Sequence, residues 1–131
     1  MIRNKIGVVL LALAMTAILI TPVLADGHKM DVTYKLPSGV EVTAVDTEFA
    51  THGILSPEKP CLHVVLTLKN TSQEEGRYQV YIILPEENKS AGGVMPRTGD
   101  PLAGGAEVSE KYPFQLYEAP KQITVMVDKI K

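Results

Sequence analysis

The stretch Cys61-Leu62-His63-Val64-Val65-Leu66-Thr67-Leu68-Lys69 sets the fold class of this chain. Leu62, Val64, Leu66 and Leu68 fall on one side of an extended backbone, and Cys61, His63, Val65, Thr67 and Lys69 on the other. That period of two is the pattern of a strand with one face on a core. A polar turn, residues 70–76 (Asn-Thr-Ser-Gln-Glu-Glu-Gly), ends it. The next run, residues 77–84, is apolar on both faces over Val80-Tyr81-Ile82-Ile83-Leu84, as in a central strand or at an interaction surface.

Outward from this pair the same texture continues. Residues 106–116 and 122–130 predict two closing strands, and residues 32–36 and 40–45 an N-terminal pair joined by Pro37-Ser38-Gly39 and read as a hairpin. Residues 46–60 contain Pro57 and Pro60, neither of which can donate to a ladder, and predict a connection crossing between sheets. Residues 85–105, rich in Gly and Pro, predict a long loop broken by a short strand at residues 93–95; loops of that length often carry function. No stretch sustains a helical period, so the expected fold is an all-β antiparallel sandwich of about seven strands in a single domain, residues 26–131.

Residues 1–25 stand apart. Arg3 and Lys5 open the chain, residues 6–20 are almost wholly apolar, and Val23-Leu24-Ala25 places small residues at signal-peptidase spacing, the pattern of a secretory leader expected to form a helix and to be cut after Ala25. The apolar run falls short of the roughly 20 residues that span a bilayer, so no stable membrane span is expected once the leader is gone. The expected location is a periplasm, cell envelope or the medium. Loss of the leader takes the basic residues from 13 to 11 against 15 acidic ones, and the formal net charge from −2 to −4. The remaining basic residues are scattered rather than clustered, which argues against a nucleic-acid partner.

Two short segments resemble small immunoglobulin-like domains of bacterial secreted and cell-envelope proteins: the strand end Lys69-Asn70-Thr71, and the lead-in Pro101-Leu102-Ala103-Gly104-Gly105-Ala106-Glu107 to a later strand. The resemblance implies an immunoglobulin-like sandwich and no catalytic residues. The disulfide and tryptophan of antibody domains have no counterpart, since the chain has one cysteine and no tryptophan. Cys61 can form no intrachain disulfide and is expected to be a buried free thiol.

Signatures of catalysis are missing: there is no nucleophile elbow, no phosphate-cradling glycine loop and no His-Glu-x-x-His helix. The acidic pairs Glu74-Glu75 and Glu86-Glu87 read as solvated turns. The expected function is therefore a non-enzymatic exported module with a protein partner in the envelope, contacted through residues 85–105. An alternative is metal handling. A cut after Ala25 would start the mature chain at Asp26-Gly27-His28, whose amine, backbone amides and imidazole suit square-planar Cu(II). A cut after Gly27 would make His28 the first residue. Further ligands by residue type are Met30, Asp31, His52, His63, Met95 and Met126, and Cys61 with His63 could share one side of a strand.

Overall fold

In a computed structural model of the chain, the backbone is described for residues 17–25 and 28–130 and the side chains for residues 30–130. The described residues form eight strands: β1 (Ala17–Ala25), β2 (His28–Leu36), β3 (Val40–His52), β4 (Ser56–Asn70), β5 (Tyr78–Leu84), β6 (Lys89–Met95), β7 (Glu107–Phe114) and β8 (Gln122–Lys129). They form a five-stranded sheet in the order β1-β2-β8-β5-β6 and a three-stranded sheet in the order β3-β4-β7. All pairings are antiparallel except β2 with β8.

The core follows from strand parity. Leu62, Val64, Leu66 and Leu68 of β4 meet Val80, Ile82 and Leu84 of β5, Met30 and Val32 of β2, and Ile123, Val125 and Val127 of β8 in one buried cluster. Each such side chain contributes roughly 1.5–3 kcal/mol when taken out of water. With residues from both sheets in a single cluster, the architecture is all-β, two sheets packed through one core.

The structure departs from the sequence reading at several places, each for a physical reason. Residues 32–36 and 40–45 do not form a hairpin: β2 joins β8, β3 joins β4, and Pro37-Ser38-Gly39, with Gly39 at φ 84°, carries the chain from one sheet to the other. Residues 46–60 are not a crossing loop but the distal half of the β3–β4 hairpin. The prolines are tolerated there because residues 57–60 fall in the register irregularity between the Ala50–Cys61 and His52–Ser56 pairs, and β7 pairs with β4 only from Leu62 onward, so neither ladder calls on their missing N–H groups. In β3 the register shifts between Val42 and Ala44, which moves the core face from Val40 to Val45 and Thr47.

The segment expected to be a leader helix runs, over Ala17–Ala25, as strand β1 along β2. Its Ile, Leu and Val content suits a strand as well as a leader, and β2 offers an outer row of backbone groups for it to pair with. Residues 1–16, the rest of that segment, lie outside the described residues. Among the described residues no helix is long and apolar enough to cross a membrane.

Tyr112 of β7 carries a hydroxyl into the core, as Tyr78 of β5 does. It is only 2 % exposed, its hydroxyl has no hydrogen-bond partner, and Arg97 lies over its ring with the guanidinium carbon 5.3 Å from the centroid. Burial pushes its phenol up to about 12, partly offset by the charge of Arg97. A phenol raised in the folded state contributes stability that is intact below its unfolded value near 10 and is lost as pH climbs through 12. Thermal unfolding is therefore expected to shift downward between those values, and Tyr112→Phe to flatten the change. Near neutrality the same variant should leave stability unchanged or raise it by up to ~1 kcal/mol, since it removes an unsatisfied hydroxyl. A steep alkaline loss that persists in the variant would assign the effect to another group.

Candidate functional site

The residues singled out for metal binding do not converge. Asp26 and Gly27 lie outside the described residues, and His28 is described in its backbone alone, at the start of β2. Met30 and Met95 are spent in the core, Met126 is half-buried on the opposite face of the five-stranded sheet, and Asp31 is exposed. Cys61 is free and buried, as its residue type led one to expect. His63 is buried beside it, but its Nδ1 bonds the Cys61 carbonyl oxygen at 3.1 Å. A carbonyl only accepts, so Nδ1 carries the proton and the ring is fixed toward the backbone.

His52 comes near, its ring centroid 6.1 Å from that of His63. Its Nδ1, however, accepts from the backbone N–H of Leu55 at 3.0 Å and of Ile54 at 3.3 Å, closing the β3–β4 turn. A neutral imidazole accepting at Nδ1 holds its proton at Nε2, the nitrogen a metal would need. Among the described residues no group of three His, Cys, Asp or Glu side chains is placed to hold a metal ion. Two polar pairs lie on the same outer face: Lys111 Nζ contacts Glu48 Oε1 at 2.7 Å, holding the Glu48 carboxyl below its usual value, and Thr67 bonds Ser109 at 2.6 Å.

Residues 85–105 also differ from the expectation of a long loop. Residues 85–88 make a tight turn with Asn88 at φ 53°, and β6 occupies Lys89–Met95. The segment beyond is pinned. Arg77 donates through both arms of its guanidinium to the carbonyls of Pro96 and Gly99, each at 2.5 Å, and Arg97 pairs with Glu110 at 3.1 Å. Leu102 exchanges backbone bonds with Gly76 at 2.7 and 2.9 Å. The segment is thus held at several points rather than hanging free.

What stands out instead is the outer face of the five-stranded sheet. Val80, Ile82 and Leu84 point into the core, so strand alternation sends Gln79, Tyr81 and Ile83 outward. The β5–β6 register sets Tyr81 opposite Gly92 and Ile83 opposite Ser90, and the β5–β8 register sets Tyr81 opposite Met126. These residues line an open groove of about 550 Å³. Gly92 leaves the floor bare beside Tyr81, and a Cβ there would strike the Val80 carbonyl oxygen, so the close approach of β6 to β5 requires glycine.

Tyr81, 44 % exposed, is the one titratable side chain of the lining. The groove therefore offers aromatic and thioether surface, the amide oxygen of Gln79, whose Nε2 donates to the Gly93 carbonyl at 3.2 Å, and a hydroxyl at Ser90, and nothing to act as a general base. Sequence reasoning found half of it, because the run 80–84 is apolar on both faces. Gly92 and Met126 enter only through register, which no local pattern discloses. No family model, curated protein or solved structure matches the chain.

Proposed function

We propose that the chain is an exported, non-enzymatic binding module of the cell envelope, an immunoglobulin-like sandwich that takes a protein partner on the outer face of its five-stranded sheet. The observation that carries this reading is the groove of Tyr81, Ile83, Gly92 and Met126. The outer face of the other sheet mixes Val65 and Pro113 with the paired polar residues Thr67, Ser109, Glu48 and Lys111, whereas Tyr81, Ile83 and Met126 gather apolar surface around one groove. An apolar groove edged by an amide and a hydroxyl suits an extended peptide with one or two apolar side chains.

Two further features support the reading. The three-stranded order β3-β4-β7 and the neighbouring order β8-β5-β6 can be laid on the A-B-E and F-C-C′ strands of an immunoglobulin-like domain, with β2 in the place of the last strand but parallel to β8 rather than antiparallel. The basic leader start, apolar run and small residues before Asp26 support export and cleavage.

The test is site-specific photo-crosslinking in the exporting cell. A photoreactive residue at Tyr81 or Met126 is expected to trap one discrete protein product, while the same residue at Thr67 or Ser109 on the opposite sheet traps none. Equal labelling of both faces, or none at Tyr81 and Met126, would remove the groove from consideration as the binding surface.

A further inference from the structure

We propose that the outer edge of β2 is a self-pairing edge, uncovered when the leader is removed and occupied by β2 of a second copy of the chain. The proposal rests on the exported, leader-cleaved reading given above.

β2 stands second in its sheet, with β1 as its neighbour on the outer side. The Asp31 N–H donates to the Lys121 carbonyl at 2.9 Å, so the backbone groups of Asp31 point toward the β8 side. Strand alternation then directs the N–H and C=O groups of Met30, Val32, Tyr34 and Leu36 to the outer edge. β1 meets them with Val23 opposite Met30, Thr21 opposite Val32 and Leu19 opposite Tyr34. Pro22, which has no N–H, stands opposite Asp31, where neither backbone points at the other. The edge therefore accepts an antiparallel strand, and β1 ends at Ala25, where the expected cut falls. Cleavage there leaves a row of unpaired backbone groups, a ready template for another strand.

The sequence of β2 says which strand fits. Met30-Asp31-Val32-Thr33-Tyr34-Lys35-Leu36, laid antiparallel on itself about a twofold axis at Thr33, sets Met30 opposite Leu36, Val32 opposite Tyr34 and Asp31 opposite Lys35. The first two pairs are those whose backbone groups face the edge, so each exchanges hydrogen bonds in both directions. Asp31 and Lys35 are exposed and fall at the alternate positions, where facing side chains lie closest. Symmetry makes their charge pair twice. Centring the twofold on Val32 or Tyr34 instead separates Asp31 from Lys35 and loses both pairs. A second copy supplies this complementarity, backbone and charge together, from the surface that displays it.

Native mass spectrometry and sedimentation equilibrium of the protein recovered after export test the proposal. The expected result is a chain lacking residues 1–25 in a concentration-dependent dimer. Asp31→Lys and Lys35→Asp are each expected to weaken the dimer roughly tenfold or more, because each sets like charges opposite twice. Mixing the two variants is expected to restore a heterodimer, since every pair across the axis then joins a lysine to an aspartate. A cleaved protein that stays monomeric overturns the self-pairing and leaves export standing. A chain that keeps residues 1–25 after export overturns the cleavage reading, and the uncovered edge falls with it. A dimer indifferent to both substitutions lies elsewhere on the molecule and overturns the edge.

Discussion

Asn70→Ala is expected to lower folding stability by about 3 kcal/mol, from the loss of one buried and three part-buried hydrogen bonds at roughly 1 kcal/mol each. The side chain is fully buried at the end of β4. Its Nδ2 donates to the carbonyls of Leu102 at 2.9 Å and Glu74 at 2.7 Å, and its Oδ1 accepts from the Ser72 N–H at 3.0 Å and the Ser72 hydroxyl at 2.7 Å. One amide thereby ties the exit of β4 to the lead-in of β5 and to the turn before β7. The backbone of the same residue adds a bond from the Gly105 N–H at 2.7 Å and one to the Ala106 carbonyl at 3.0 Å. Asn70→Asp is the sharper variant. It keeps the acceptor for Ser72 but turns a carboxylate oxygen toward two carbonyls, so its loss is expected to exceed that of alanine at neutral pH and to shrink on acidification, when a protonated oxygen can donate once more. Urea unfolding of the three proteins at two pH values measures both effects; an alanine variant within 1 kcal/mol of the parent would show the staple to be dispensable. The same burial closes Asn70 of the Asn70-Thr71-Ser72 sequon to a glycan once the chain is folded.

This staple joins two of the segments singled out in the sequence. Lys69-Asn70-Thr71 and the 101–107 turn, far apart in sequence, meet through Asn70 and the Gly76–Leu102 bridge. Local alternation made β5, β7 and β8 legible with nearly correct ends, and of β4 the part over residues 61–69, while its first five residues from Ser56 were read as a connection. Alternation describes a strand and its buried face but not its neighbour. The parallel partner of β2 and the sheet change at Pro37-Ser38-Gly39 were consequently out of reach, since both depend on contacts with β8, nearly the full chain away. The prolines of residues 57–60 misled for a related reason. Their cost depends on whether a ladder calls on their N–H groups, and the register irregularity with β3 and the end point of β7 decide that.

The candidate site divides along the same line. Tyr81 and Ile83 were visible as the second apolar face of a run, whereas Gly92 and Met126 reach them through pairing on either side. His63 shows the converse. Its place on the face opposite the core read as a half-exposed strand position, but at 7 % exposed, with its ring bonded to the Cys61 carbonyl, it is a packed residue.

Leu66→Ala is expected to cost about 3 kcal/mol, within the range for truncating a buried leucine to leave a cavity, and Thr67→Ala, one residue on, less than about 1 kcal/mol. Leu66 is fully buried in the centre of β4, with Val45 opposite it on β3 and Glu110 on β7. Its side chain sits between the sheets, where neighbours held by two ladders cannot readily collapse into the space it vacates. Thr67 points the other way, and its hydroxyl bonds Ser109 at 2.6 Å on the exposed outer face, where water can replace the lost partner. The contrast between adjacent residues tests the register of the whole central strand, because a slip of one position would exchange their roles and with them every inward and outward residue of β4. Guanidinium unfolding of both variants, with the denaturant slope held as a check on two-state behaviour, reads the difference directly. Equal losses at the two positions would mean that β4 has no single core face, and the stacking of one sheet on the other, on which the outward placement of Tyr81, Ile83 and Met126 depends, would have to be abandoned.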